Sequence, residues 1–141
     1  MNREGSTGTI LLVEDNQDDV FLMRRVFRKA AITHPLKVIT DGREAMSYLE
    51  GTGQYQDRET HPLPVLIFLD LKLPFLHGFV VLAWIRKQAH LKAIRVVILT
   101  SSMEDQDHEK AEVFGAAYLV KPPTPERVLE LIGELREVHQ G

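Results

Sequence analysis

Five apolar runs of four or five residues, rich in β-branched side chains, punctuate the chain: Ile10–Val13, Leu36–Ile39, 65–69, 96–99 and Ala117–Val120. Runs of this length make strands and are too short for helices. Longer segments with helical spacing stand between them. Val20, Met23, Phe27 and Ala30 share one face, Val81, Leu82 and Ile85 a second, and Val128, Leu131, Ile132 and Leu135 a third. Segments 41–51 and 104–114 complete the set, each followed or closed by a glycine, Gly51 or Gly115, as helix ends often are. Strict alternation of strand and helix predicts an α/β fold with a parallel sheet and helices on both faces. The runs are apolar throughout rather than alternating, which implies burial on both faces. Right-handed crossovers then leave few topologies, and the one expected here, common at this size, is a doubly wound, flavodoxin-like, five-stranded sheet of order 2-1-3-4-5 with five helices, in three layers.

A length of 141 residues suits one domain, expected over residues 9–141 behind a flexible N-terminal segment 1–8. With 44% hydrophobic and 26% charged residues, the composition is that of a globular protein rather than a disordered one. The net charge is −3 and no basic stripe occurs, which argues against direct nucleic-acid binding. The absence of cysteine removes disulfides, zinc–thiolate and iron–sulfur sites and thiol nucleophiles. The longest apolar run, 79–85, is far below the roughly 18 residues of a membrane span, and the polar first eight residues hold no signal-peptide core. A soluble, cytoplasmic protein is expected.

In a doubly wound sheet ligands bind at the carboxyl ends of the strands. Strand one ends in Glu14-Asp15, strand three in Asp70, strand four in Thr100-Ser101-Ser102 and strand five in Lys121. Each alone has a bland explanation as a helix cap, a turn residue or a solvated charge. Together they place three carboxylates, a hydroxyl and an ammonium on one edge. Three converging carboxylates repel and call for a cation or raised pKa values. A hard divalent ion such as Mg2+, with oxygen ligands and water, answers that need. Such an ion with Lys121 stabilises phosphoryl oxygens, and an aspartate attacking phosphorus forms an acyl phosphate. Asp70, alone at the central strand's end, is better placed as nucleophile than the adjacent pair, which is better placed to hold metal.

Leu11-Leu12-Val13-Glu14-Asp15, Leu69-Asp70-Leu71-Lys72-Leu73-Pro74 with Gly78, Val97-Ile98-Leu99-Thr100-Ser101 and Tyr118-Leu119-Val120-Lys121-Pro122 resemble the motifs of response regulator receiver domains, in order and spacing, from about residue 9 to about residue 138. The resemblance implies that Asp70 accepts a phosphoryl group from a sensor histidine kinase or a phosphotransfer protein. It implies that Glu14, Asp15, Asp70 and the backbone carbonyl of Lys72 hold Mg2+. Thr100 would hydrogen-bond the phosphoryl group, Lys121 would pair with it, and Tyr118 would change rotamer on activation. Pro74 and Gly78 would shape the loop after Asp70, and Lys72 and Ser102 would tune the phosphoryl lifetime. The long 51–64 segment and the Asn16-Gln17-Asp18-Asp19 helix start are similar to stand-alone regulators of phytochrome-type kinases. Output would then come from a changed surface over the fourth helix, fifth strand and fifth helix, through docking, phosphorelay or a homodimer.

Glu14 stands where the family more often has aspartate, and His77 where it more often has an acidic residue. His77, His34, His61, His90, His108 and His139 share no metal-ligand spacing and read as surface residues. The 51–64 connection exceeds the usual 2–6 residues, and its glycines and prolines predict an ordered excursion. Val80 and Trp84 lie on a normally polar flank of the third helix, as part of a broad buried stripe or as a partner patch. Three rivals are weaker. A haloacid dehalogenase-type phosphatase needs an aspartate where Lys72 stands. A flavin binder needs its phosphate loop after strand one, whereas Ser6-Thr7-Gly8-Thr9 precedes it. A receiver that has lost phosphorylation would lack key positions that are intact here.

Overall fold

The computed structural model describes residues 8–101 and 104–140 of the chain, with side chains through residue 135. The expected flexible segment, apart from Gly8, and Ser102 and His139 with regard to their proposed characters, lie outside what is described. Five strands alternate with five helices: β1 (Ile10–Val13), α1 (Gln17–Lys29), β2 (Leu36–Ile39), α2 (Gly42–Glu50), β3 (Leu66–Asp70), α3 (Gly78–Lys87), β4 (Arg95–Thr100), α4 (Asp105–Val113), β5 (Ala117–Val120) and α5 (Pro125–Gln140). All pairings are parallel and the order is β2-β1-β3-β4-β5, as the alternation predicts.

Successive strand residues point to opposite faces, and the core divides accordingly. Leu11, Val13, Ile67, Leu69, Val96 and Ile98 face α2, α3 and α4, meeting Tyr48, Leu82, Ile85 and Ala111. Ile10, Leu12, Leu66, Phe68, Val97 and Leu99 face α1 and α5, meeting Met23, Phe27, Val128 and Leu131. Burial on both faces holds for β1 and β3 throughout and for β4 beyond Arg95. The edge strands β2 and β5 are only half-buried, because an edge lacks a neighbour on one side. Strands β3 and β4 run one residue past their apolar cores, to Asp70 and Thr100: backbone pairing continues where hydrophobicity stops.

Caps set the helix starts. Asn16 Oδ1 accepts from the Asp19 amide at 3.1 Å, and Asp41 Oδ1 from the Glu44 amide at 2.8 Å. His77, expected as a plain surface residue, is exposed but starts α3, its Nδ1 accepting from the Phe79 amide at 3.2 Å. Gly51 closes α2 at φ +77°. Gly78 is required by close approach: a Cβ there would lie 2.4 Å from the Asp70 carbonyl oxygen.

The 51–64 segment is an ordered excursion, as expected. It opens with a 3-10 turn over Gly53–Tyr55 and buries Tyr55. Tyr48 donates to the Pro62 carbonyl at 2.7 Å and Tyr55 to Glu44 at 2.5 Å. Arg58 donates to the carbonyls of Tyr48, Leu49 and His61 at 2.7–3.0 Å, satisfying the end of α2. The Val80/Trp84 flank splits: Trp84 packs on the core, whereas Val80 is half exposed.

Candidate functional site

The sheet's carboxyl edge gathers the residues expected there. A cavity of about 280 Å3 is lined by Glu14, Asp15, Asn16, Asp19, Asp70, Lys72, Thr100, Ser101 and Lys121. Larger hollows, one beside Asp41, Arg43 and Tyr55 and one beside Arg86, Lys92 and Arg95, bring together no comparable set of carboxylates. Glu14, Asp70 and Thr100 are the buried polar residues of the described chain: Asp70 and Thr100 close buried strands and Glu14 directly follows one. Asp15, one residue on, is exposed. One oxygen from each of Glu14, Asp15 and Asp70 lies within 4.8 Å of the others.

Lys121 is the cation at the centre. Its Nζ lies 2.8 Å from Glu14 Oε1, 2.8 Å from Asp19 Oδ2 and 3.4 Å from Asp70 Oδ1. Burial alone would lower the Lys121 pKa, but the hydrogen bond to Asp19 and the close charges of Glu14 and Asp70 outweigh it and hold the ammonium above its ordinary range. Burial pushes Glu14 up to about 7 and the Asp70 charge adds to this, against the lowering effects of Lys121 and the Asn16 amide. The Asn16 amide donates to Glu14 Oε2 at 3.2 Å, whereas Oε1 is buried with an ionic neighbour but no well-aligned hydrogen bond. Three carboxylates around one ammonium, with Asp15 clustered beside Glu14 and Asp70, leave an excess of negative charge. The donor set is all oxygen, with a buried carboxylate oxygen under-satisfied, so the residues present fit a hard divalent cation.

Lys72 lines the cavity with its side chain exposed. Tyr118 does not line the cavity; it is half-buried against the α2–α4 side of the core, with the His108 ring 3.6 Å from its own, centroid to centroid. Register pairs Ile98 with Tyr118 and Thr100 with Val120, and alternation puts Thr100 and Tyr118 on the same face of neighbouring strands. Asn16 and Asp19 also line the cavity, and Asp19 is the carboxylate there that the four motifs do not include.

A doubly wound sheet with an acidic cleft and a lysine at its switch point defines the class of aspartate-centred phosphoryl-handling domains. The response regulator receiver domain family matches residues 10–133, and the chain belongs to that family. The probable methanogenesis regulatory protein FilR2 of Methanothrix harundinacea is 36% identical over 136 residues, covering 94% of this chain and 83% of FilR2. Response regulator Rcp1 of Synechocystis sp. is 44% identical over 98 residues, 70% of this chain and 65% of Rcp1. Its Mn2+-bound structure has a TM-score of 0.75 at 36% identity, over 89% of each chain. The bacteriophytochrome response regulator AtBRR has a TM-score of 0.82 at 38% identity, over 92% of this chain and 93% of AtBRR. This protein is therefore a response regulator receiver domain of a two-component system. Among the described residues no helix is long and apolar enough to cross a membrane.

Proposed function

We propose that Asp70 is the phosphoacceptor, and that Glu14, Asp15, Asp70 and the Lys72 carbonyl form a Mg2+ site beside it. The observation that carries this reading is the buried Asp70 carboxylate, 3.4 Å from the Lys121 ammonium and clustered with Glu14 and Asp15. An Asp70 oxygen attacks the phosphorus of a phosphohistidine or a small acyl phosphate. The new O–P bond forms as the bond to the donor's nitrogen or oxygen breaks, and the donor leaves with that electron pair. A bound Mg2+ supplies charge stabilisation for the phosphoryl oxygens. Lys121 neutralises a further oxygen and Thr100 donates its hydroxyl. Because Thr100 and Tyr118 share a face of neighbouring strands, drawing Thr100 toward the phosphoryl group opens room toward Tyr118. The surface over α4, β5 and α5 is then the output, met by a partner or a second copy of the chain.

The donor class is a sensor histidine kinase or a phosphotransfer protein, acting in the cytoplasm on a receiver domain spanning residues 9–141. The likeness to AtBRR favours a phytochrome-type kinase, whereas the likeness to FilR2 does not point to light input. Incubation with Mg2+ and acetyl phosphate, followed by intact mass and peptide mapping, tests the reading. One phosphoryl group on Asp70 is expected. An unlabelled protein would mark a receiver that works by docking alone.

A further inference from the structure

Asp19 has no part in the roles assigned so far, yet it makes one of the two shortest contacts of the cleft's cation. Lys121 Nζ donates to Asp19 Oδ2 at 2.8 Å, whereas Asp70, the group it is to assist, is 3.4 Å away, outside the range of a good charge-assisted hydrogen bond. The two residues are 102 apart in sequence. Asp19 is held firmly. Its amide donates to the capping Asn16 side chain, and Val20 and Met23, on the same helix, are buried in the α1–α5 core layer. The Asp19 side chain is 30% exposed, that of Asp70 7%. A partly solvated ion pair is weak and readily exchanged.

We infer that Asp19 is a positioning residue for phosphoryl transfer: it draws the Lys121 ammonium to the α1 side of the cleft, away from Asp70, until an incoming phosphoryl group competes for it. This rests on the reading of Asp70 as phosphoacceptor. The Asp19–Lys121 pair sets how readily the cation reaches the phosphoryl oxygens, so it restrains the rate of phosphorylation and the affinity for a phosphoryl mimic. Asp18, its neighbour, is exposed and joins no ion pair among the described residues, which makes it a control of equal charge.

The test compares wild type with Asp19→Asn, Asp19→Glu and Asp18→Asn at saturating Mg2+. Labelling by acetyl phosphate and affinity for the beryllium fluoride anion are the readouts. Asp19→Asn is expected to label roughly two- to fivefold faster and to bind beryllium fluoride tighter by a similar factor, the size of a partly exposed ion pair. Asp19→Glu keeps a carboxylate within reach of Lys121 and should stay near wild type, as should Asp18→Asn. Simple loosening of α1 would weaken binding of the anion, so tighter binding reports the released lysine. Wild-type or slower labelling of Asp19→Asn, beside a normally labelled wild type, would overturn this inference alone. So would an equal gain in Asp18→Asn, which would reduce the effect to bulk charge. Failure to label any variant, wild type included, would overturn the phosphoacceptor reading and this inference with it.

Discussion

The cleft and the corner formed by α2 with the 51–64 segment both bury polar groups, and they resolve them oppositely. At the corner, the buried donors meet acceptors supplied by the chain: Tyr48 to Pro62, Tyr55 to Glu44, and Arg58 to three carbonyls. In the cleft, Glu14, Asp19 and Asp70 share Lys121, Asp15 lies beside Glu14 and Asp70, and Glu14 keeps an oxygen without an aligned hydrogen bond. Internal satisfaction makes structure. Incomplete satisfaction makes a place for an ion and a phosphoryl group to complete.

The largest expected effect separates the two regions by function. Asp70→Asn, nearly isosteric, should abolish labelling by acetyl phosphate while leaving the circular dichroism spectrum and the corner unchanged. It should not destabilise the metal-free protein, since it removes a repelling charge. A fully labelled Asn variant would break the comparison at its centre. Lys121→Ala should leave three carboxylates without their cation and uncouple labelling from the change in hydrogen exchange across residues 100–115. An unaltered exchange response would remove Lys121 from that role.

Arg58→Ala should do the reverse. It strands the carbonyls at the end of α2 and should cost about 2–3 kcal/mol in urea unfolding. Labelling at Asp70 should persist in the folded fraction. Loss of labelling without loss of stability would show that the corner serves the cleft.

The pH dependence sharpens the contrast. Glu14 binds its proton more tightly folded than unfolded, with a value of about 7 against 4.5. The native state therefore holds the extra proton between those values, and metal-free stability should fall as pH rises through that window. Mg2+ prefers the ionised carboxylates, so it should raise the Tm more at pH 7.5 than at pH 5. Tyr55 is raised from 10.0 to about 12 by burial first and then by Glu44, so its contribution should be lost only as pH rises through 10 to 12. Thermal scans at several pH values, with Mg2+ and with chelator, check both. The smallest effect is Tyr55→Phe, about 1 kcal/mol from one hydrogen bond.

Most of the fold was legible because strand length, helical spacing and glycine punctuation are local patterns. Glu14, Asp15, Asp70, Thr100 and Lys121 were legible as a group because strand ends in a parallel sheet share an edge. Asp19 was not, since an acidic residue in the first turn of α1 already has a reason to be there in the helix dipole. His77 looked like an ordinary surface histidine because histidine is an uncommon cap. Trp84 and Val80 looked alike on a helical wheel, and only the position of the core told them apart.

By itself, then, the order of residues determined the alternation of elements, the parallel sheet and the side chains delivered to its carboxyl edge. These follow from periodicity and from the handedness of crossovers, which act over short stretches of chain. Tertiary structure alone decided which partner each of those side chains takes. Lys121 meets Asp19 across 102 residues, Tyr118 lies beside His108, and Arg58 turns back on α2. Such pairings depend on distances of a few ångströms between elements that no local pattern encodes, and charge decides among them only once packing has set who is near.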